Sequence, residues 1–223
     1  MSRGGRPGRE RPVLVHLTTT DMSLDWLLGP QLRAFGEAGY EVVGVSATGP
    51  HVAALADLGV RHVAVDSLTR SSAVTQDLRA FVDLVRLLRR LRPDILHTHN
   101  PKPGILGRIA GRLAGVPLVV NTQHGLYAQP TDRRRRRWPV YVAERVAAAF
   151  GHVELVQNEE DVETLVHRLR VPARKVRLLG NGVDLGRFDP GRVPDGTRER
   201  VRREWGIGDD EVVVGVVGRL VRE

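Results

Sequence analysis

Cysteine is absent from this 223-residue chain, and aromatic residues make up only 4% of it. The absence of cysteine excludes disulfide bonds and thiolate metal sites, and it suits a reducing compartment. The scarcity of aromatic side chains argues against a nucleic-acid interface built on base stacking. Long apolar runs are also missing: no stretch is long enough to span a bilayer, and residues 13–17 are too few for the core of a secretion signal. We therefore expect a cytoplasmic protein without a transmembrane anchor.

Lysine is rare as well. Lys102 and Lys175 are the only lysines, so arginine supplies nearly all of the positive charge, and the formal net charge is +8. A basic balance of this size favours acidic partners such as phosphates, nucleic acid or an anionic membrane surface. The remaining composition, 41% hydrophobic and 27% charged, is that of an ordinary globular protein.

The order of sequence patterns predicts three segments. Residues 1–12 are basic and rich in glycine and proline, which predicts a disordered tail. Over residues 13–190, short β-branched runs alternate with helical patterns, which predicts an α/β domain with a Rossmann-like, doubly wound parallel sheet. Residues 191–223 predict a linker, a polar helix and a terminal strand over 211–217. Because a buried parallel strand needs neighbours, we expect it to be the first strand of a second, truncated Rossmann-like domain.

The most informative loop follows the strand predicted over residues 94–98. It carries His97, His99 and Asn100, and Lys102 comes just before a predicted helix N-terminus. Ligands of such sheets bind at the carboxyl ends of the strands. A helix N-terminus beside a lysine favours an anion such as phosphate. The alternative is that His97 is a hydrogen-bonded core residue and that only the loop contacts a ligand.

A second polar strand end, residues 121–124, closes on His124. With His97 and His99 on a neighbouring strand, His124 would complete a three-histidine metal site. No supporting carboxylate pattern such as HExxH accompanies these histidines. We therefore expect no metal, and we favour a hydrogen-bonding or acid–base role for His124.

Five consecutive arginines occupy residues 133–137, directly before Trp138 and close to Tyr141. A charge run of this kind is usually a solvated helix face. The alternative is contact with a membrane surface, because arginine beside tryptophan and tyrosine suits an anionic headgroup region.

Several motifs occur along the chain in one order: His97-Thr98-His99, Asn121-Thr122-Gln123-His124-Gly125, Leu179-Gly180-Asn181-Gly182-Val183-Asp184 through Phe188-Asp189-Pro190, and Gly218-Arg219-Leu220. Together they closely resemble the family 4 glycosyltransferases of the GT-B fold. Residues 18–21 with Pro30-Gln31-Leu32, and residues 99–104, resemble the bacterial branch that builds capsule, lipopolysaccharide or exopolysaccharide repeat units. The first loop, residues 18–23, departs from the Gly-Gly pattern of some members.

The resemblance implies a retaining, metal-independent transferase that uses a nucleotide sugar and has two Rossmann-like domains facing each other across the active cleft. The N-terminal domain would mainly receive the acceptor, and the C-terminal domain would bind the donor. We accordingly expect the following roles: catalysis by His124; acceptor binding by Ser23, His99, Asn100 and Lys102; donor binding by Gly218 and Arg219; and an interdomain hinge at Asn181 and Gly182.

The expected function is transfer of a sugar from a nucleotide sugar to a lipid-linked acceptor in envelope polysaccharide synthesis, with no cofactor and no nucleic-acid partner. A polyprenyl-diphosphate acceptor would suit Lys102 and the arginine run, with the protein peripheral at the inner face of the membrane. We expect the 223 residues alone to be inactive. Two alternatives remain. Another GT-B enzyme, such as a nucleotide-sugar 2-epimerase, would need acid–base carboxylates, which the strand-end loops are not expected to offer. A basic nucleic-acid-binding module would lose affinity steeply with salt.

Overall fold

The computed structural model describes residues 9–69, 74–99, 101–128 and 131–217. Most of the predicted tail, Asn100, Gly218 and Arg219 lie outside these described residues. The chain divides into two compact units, Met1–Gly180 and Asn181–Glu223. The division falls at the start of the predicted hinge. Hinge motion and the predicted domain limits at residues 190 and 191 stay predictions.

The first unit contains a seven-stranded sheet in the order β3-β2-β1-β4-β5-β6-β7, and every neighbouring pair of strands is parallel. This arrangement confirms the predicted doubly wound α/β fold. The strands are β1 (Val13–Thr20), β2 (Glu41–Ala47), β3 (Arg61–Ala64), β4 (Ile95–His99), β5 (Leu118–Gln123), β6 (Val153–Val156) and β7 (Val176–Leu178).

Helices connect the strands of this sheet. They are α1 (Gly29–Glu37), α2 (Val52–Asp57), α3 (Val74–Leu91), α4 (Lys102–Leu113), α5 (Arg134–Phe150) and α6 (Glu159–Glu163), with π-helical turns at Ser23–Leu27 and Thr164–Arg168 and a 3-10 turn at Ala173–Lys175. Pro30 lies in the first turn of α1, where its missing N–H has no helical partner to lose. The helix therefore begins at residues 29–30 and is not interrupted by the proline.

Alternation along the central strands separates two faces of the sheet. Val15 of β1 and Leu96 of β4 belong to a buried apolar cluster that includes residues of α3. His16 and His97, the next residues along these strands, are paired in register and lie on the opposite face, where His16 contacts Phe35 of α1. The apolar cluster therefore packs on one face of the central strands, and His16 and His97 lie on the other.

Helix α4 packs close to the sheet because glycine occupies two of its inward positions. A Cβ at Gly107 would lie 2.6 Å from a methyl of Leu17 and 2.7 Å from one of Thr98, and a Cβ at Gly111 would lie 2.6 Å from a methyl of Leu96. Any side chain at these positions would force the helix outward. This close approach lets the intervening Arg108 reach Glu154 of β6 and Glu144 of α5.

The second unit has two short helices, Pro190–Arg192 and α7 (Thr197–Glu204). The sequence-based prediction of a strand over residues 211–217 is wrong for this structure. These residues have no regular secondary structure, and Val212, Val214, Val216 and Val217 are exposed. The described residues of this unit contain no other strand, so the segment has no ladder partner to hold it extended. Among the described residues, no helix is both long and apolar enough to cross a membrane.

Candidate functional site

The candidate site lies at the carboxyl ends of β1, β4, β5 and β6. The strand order reverses direction between β1 and β4, and ligands of doubly wound sheets bind at such a switch point. His99 ends β4, His124 follows β5, and Gln157 follows β6. The structure therefore brings together histidines that are 25 residues apart in the sequence, as the strand-end argument predicted.

Four side chains form a continuous row of hydrogen-bonding contacts across this edge. Nδ1 of His16 lies 3.2 Å from Nε2 of His99, and Nδ1 of His99 lies 2.9 Å from Nε2 of His124. Nδ1 of His124 lies 3.0 Å from the amide nitrogen of Gln157. We call His16, His99, His124 and Gln157 the histidine chain. Sequence reasoning missed both ends of it, because His16 sits within an apolar strand and Gln157 belongs to no recognised motif.

Burial keeps these imidazoles neutral. Burial lowers the pKa of His16 and of His99 well below its ordinary value, and neighbouring histidines lower it further. Burial and the proximity of His124 lower the pKa of His97 to about 4. Burial also lowers the pKa of His124. Near neutral pH each ring therefore has one N–H donor and one lone-pair acceptor.

The structure confirms that His97 is a hydrogen-bonded core residue, and the expectation that only the loop contacts a ligand stays a prediction. His97 is buried, and its Nε2 lies 2.7 Å from the hydroxyl oxygen of Thr122. His16, His97 and His99 can each bring a ring nitrogen within 4.8 Å of the others, which is a donor set that zinc would accept. His124 is not a member of this group. Both ring nitrogens of His99 already lie within hydrogen-bonding distance of other histidines, and the absence of a metal requirement stays a prediction.

Lys102 is the first residue of α4, whereas the sequence placed it just before the helix, and it is paired with a carboxylate. Its Nζ lies 2.6 Å from Oδ1 of Asp77 in α3, and the lysine side chain is only 15% exposed. An anionic ligand would therefore have to share this lysine with Asp77 or draw it away. Its role in acceptor binding, like that of the buried His99, stays a prediction.

Ser23 lies on the same edge, at the start of the π-helical turn after β1. Its hydroxyl is 3.1 Å from that of Thr20. Between them, the buried Asp21 accepts hydrogen bonds from the backbone N–H groups of His51 (2.7 Å) and Met22 (2.9 Å). A side chain at Gly49 would collide with this carboxylate. Asp21 thus ties the loop after β1 to the loop after β2.

The strand-end loops do offer carboxylates, contrary to the sequence-based expectation. Besides Asp21, Asp25 lies on this edge, and its Oδ2 is 2.9 Å from Nδ1 of the half-buried His51. Trp26 packs edge-on against His51 and is 69% exposed. The pairing escaped sequence analysis because the two residues are 26 positions apart and belong to no common motif.

On the other face of the sheet, Arg108 is fully buried between two glutamates. Its guanidinium lies 2.9 Å from Glu154 and 2.5 Å from Glu144. Burial alone would lower the pKa of Arg108, but the two carboxylates outweigh it and raise the pKa. Asn121 donates to Glu154 and Gln123 donates to Glu144, each at 2.9 Å. This network fixes the polar end of β5 immediately before His124.

The arginine run forms the first turn of α5, which starts at the carboxyl edge of the sheet after β5. Four of the five arginines are exposed, and the guanidinium of Arg137 lies 5.7 Å from the ring centre of Tyr141. Trp138 is 69% exposed and Tyr127, in the preceding loop, is 65% exposed. A basic and aromatic surface therefore lies on α5 and the loop before it.

Residues 31–187 match the model of the family described as Glycosyltransferase Family 4. Among curated proteins, the chain is 36% identical over 164 residues to the UDP-Gal:alpha-D-GlcNAc-diphosphoundecaprenol alpha-1,3-galactosyltransferase of Escherichia coli, covering 74% of this chain and 42% of that protein. It is 24% identical over 212 residues to the capsular polysaccharide biosynthesis glycosyltransferase CapM of Staphylococcus aureus, covering 94% and 54%. The chain thus spans about half the length of the curated relatives it matches.

Solved structures show the same fold. A glycosyltransferase from Rickettsia africae superposes with a TM-score of 0.65 at 14% identity, covering 91% of this chain and 51% of that one. A UDP-GlcNAc 2-epimerase from Neisseria meningitidis superposes with a TM-score of 0.56 at 14% identity, covering 89% and 54%. At such identities the likeness concerns the fold alone.

Proposed function

Because the chain belongs to glycosyltransferase family 4, we propose that it forms the acceptor-side part of an enzyme that transfers a sugar from a nucleotide sugar to a lipid-diphosphate-linked saccharide. One observation carries the acceptor class: the 36% identity to an enzyme whose name specifies a GlcNAc-diphosphoundecaprenol acceptor. The similarity to a capsular polysaccharide glycosyltransferase supports a place in envelope polysaccharide synthesis.

The geometry of the strand ends suits such an acceptor. Saccharide hydroxyls would meet His124, Gln157 and the hydroxyl of Ser23, which are neutral hydrogen-bonding groups. The diphosphate would meet Lys102 and the N-terminus of the 12-residue helix α4, whose dipole favours an anion. Asp77 would then compete with the diphosphate for the lysine.

The reaction we propose retains the configuration of the transferred sugar and needs no metal. Such a transfer asks the protein chiefly to stabilise the negative charge on the leaving nucleoside diphosphate. In the family resemblance this task falls to Gly218 and Arg219, outside the described residues. The strand-end residues of the first unit would hold and orient the acceptor hydroxyl.

We also propose that the basic and aromatic surface of α5 contacts an anionic membrane, where a lipid-linked acceptor resides. The support is the exposure of Trp138 and Tyr127 beside the arginine run. Aromatic side chains with arginine suit the headgroup region, and each basic residue near such a surface contributes about 1 kcal/mol.

A binding experiment tests the proposed acceptor class. The 223-residue chain is titrated with a soluble short-chain polyprenyl diphosphate carrying GlcNAc, and in parallel with the same lipid carrying GlcNAc without the diphosphate. We expect the diphosphate form to bind at least about tenfold more tightly, because a charge-assisted hydrogen bond contributes roughly 1.5–3 kcal/mol. If the chain binds UDP-GlcNAc but neither of the two lipids, the epimerase alternative is favoured. Salt-sensitive binding of duplex DNA alone would favour a nucleic-acid module.

A further inference from the structure

We propose that His16 and His99 are positioning residues for His124, because the histidine chain couples the tautomer of each ring to that of the next. The functional part of this proposal rests on the proposed function, in which His124 faces the acceptor. The coupling itself rests only on the geometry of the chain.

The hydrogen bonds of the chain run in one direction. A neutral imidazole donates from one nitrogen and accepts at the other. The amide nitrogen of Gln157 donates to Nδ1 of His124, so the ring proton of His124 is on Nε2. That proton is donated to Nδ1 of His99, whose own proton is then on Nε2 and is donated to Nδ1 of His16. All three rings therefore share the Nε2–H tautomer.

Burial makes this coupling strict. His16 and His99 are 0% and 3% exposed, so water does not offer these rings an alternative partner. A ring that adopted the other tautomer alone would place two N–H groups or two lone pairs face to face at about 3 Å. In a buried site each such mismatch leaves polar groups unsatisfied, which is costly. The rings must therefore change tautomer together or not at all.

The inner end of the chain argues against a purely packing role for His16. Its Nε2 is buried and has no hydrogen-bond partner among the described residues. A phenylalanine or leucine would fill the same space against Phe35 without an unsatisfied polar atom. The hydrogen bond to His99 is what His16 contributes that an apolar side chain would not.

The shared tautomer determines which groups His124, the outermost ring of the histidine chain, can bind. With Nε2–H directed inward to His99, the nitrogen that His124 presents toward Gln157 is the acceptor Nδ1. A ligand that displaces the Gln157 amide must then offer a donor, such as a saccharide hydroxyl, to the same nitrogen. His16 lies two hydrogen bonds away from His124, yet it helps to decide which groups His124 accepts.

The experiment records long-range ¹H–¹⁵N spectra of the 223-residue chain labelled at histidine, which distinguish the two neutral tautomers of each ring. We expect His16, His99 and His124 to be Nε2–H. In Gln157→Glu, the carboxylate is acceptor-only, so His124 must donate from Nδ1 and all three rings should become Nδ1–H. His97, which bonds with the Thr122 hydroxyl, is the internal reference. Gln76→Glu on α3 is the matched charge control and should leave the chain unchanged.

A change confined to His124, either to Nδ1–H or to an imidazolium, would overturn the coupling, and so would different tautomers among the three rings of the parent chain. These outcomes need no ligand, so they are independent of the proposed function.

The positioning role has its own measurement. His16→Phe keeps a ring of similar size and removes the acceptor of the His99 Nε2–H. The Nε2–H tautomers lose that hydrogen bond, whereas the Gln157 amide can turn its oxygen to accept from Nδ1 of His124. His99 and His124 should therefore populate both tautomers, and affinity for the diphosphate-linked GlcNAc lipid should fall about threefold to tenfold. If the buried change prevents folding, the ligand-free tautomers of Gln157→Glu, at a half-exposed position, still test the coupling. Affinity that stays at the parental value while the tautomers shift would remove the positioning role.

Discussion

Arg108 supports the candidate site from the opposite face of the sheet. It lies at the centre of a buried network that reaches β5 through Asn121 and Gln123 and β6 through Glu154. Its guanidinium also donates to the carbonyl oxygen of Gly104 at 2.6 Å. Because these groups are buried, loss of the arginine would leave two carboxylates without their counter-charge.

We predict that Arg108→Met lowers the free energy of unfolding by roughly 3–5 kcal/mol, since removing one partner of a buried ion pair leaves uncompensated charge. The measurement is urea denaturation at pH 7.5. Arg112→Met, one turn later on the exposed side of α4, is the matched control and should change stability by only about 0.5 kcal/mol. Adding Glu144→Gln and Glu154→Gln to Arg108→Met should recover part of the loss. A variant as stable as the control would show that the network contributes little.

The buried histidines make stability depend on pH. Their pKa values in the folded chain lie below that of an unfolded histidine, so below about pH 6.5 the unfolded state binds more protons. Stability is therefore complete above that pH and is lost as pH falls toward about 4, the pKa of His97. Each such histidine contributes a slope of about 1.4 kcal/mol per pH unit in this window.

We predict that His16→Phe makes the decline in unfolding free energy between pH 6.5 and 5 shallower by up to about 1.4 kcal/mol per unit. His167→Gln removes an exposed histidine and is the control with which the slope of His16→Phe is compared. Equal slopes for the parent chain and His16→Phe would mean that His16 is not held neutral by folding.

Among the secondary-structure elements, the strands could be predicted from the sequence. Several side-chain contacts between elements could not. Val13–Thr20 and Leu118–Gln123 carry enough β-branched and apolar residues to indicate strands directly. His97, His99 and His124 could be placed together because parallel strands end on the same edge. Asp25 with His51, and Arg108 with Glu154, depend on side-chain reach between elements 26 and 46 residues apart, which periodicity does not encode.

Residues 211–217 were predicted as a strand but have no regular secondary structure. Their valine-rich pattern predicted a strand, yet a strand is stabilised by its ladder partners rather than by its own residues. In the described part of the second unit no strand lies beside residues 211–217. Local pattern was overridden by the absence of a partner.

The first turn of α5 carries the proposed membrane contact. We predict that changing Arg133, Arg134, Arg135, Arg136 and Arg137 together to Ser abolishes cosedimentation with anionic liposomes at low salt, because five basic residues contribute about 1 kcal/mol each near such a surface. The control changes five exposed arginines on other elements to Ser: Arg79, Arg86, Arg90, Arg112 and Arg174. Equal binding by the two variants would show that net charge acts rather than this surface.

At the scale of the whole molecule, the chain consists of two compact units of unequal size. The first contains the sheet and the apolar clusters, and the second contains α7 and the exposed valines of residues 211–217. The stability of the first unit is therefore expected to be its own.

We predict that deleting residues 195–223 leaves the thermal unfolding midpoint within about 2 °C and improves solubility, because exposed apolar residues are removed and the sheet is untouched. For a domain of this size, a loss of 1 kcal/mol shifts the midpoint by about 2–4 °C. Differential scanning calorimetry and light scattering are the measurements. A drop well beyond that range would show that the segment contributes to the first unit.

We propose that the strand-end edge of the first unit binds a diphosphate-linked acceptor through Lys102. The direct test measures the affinity of the 223-residue chain for the short-chain GlcNAc-diphosphate lipid in three variants. These are Asp77→Asn, the double variant Asp77→Asn with Lys102→Ala, and Arg90→Ala on the last turn of α3 as the charge control.

We predict that Asp77→Asn binds at least as tightly as the parent chain, because it removes a carboxylate that competes with the diphosphate for the lysine. Adding Lys102→Ala should then weaken binding about tenfold to a hundredfold, equivalent to a charged hydrogen bond of roughly 1.5–3 kcal/mol. Arg90→Ala should bind like the parent. The assignment of this edge to the acceptor would be contradicted if the double variant bound as tightly as Asp77→Asn alone. It would also be contradicted if the double variant lost no more affinity than Arg90→Ala does.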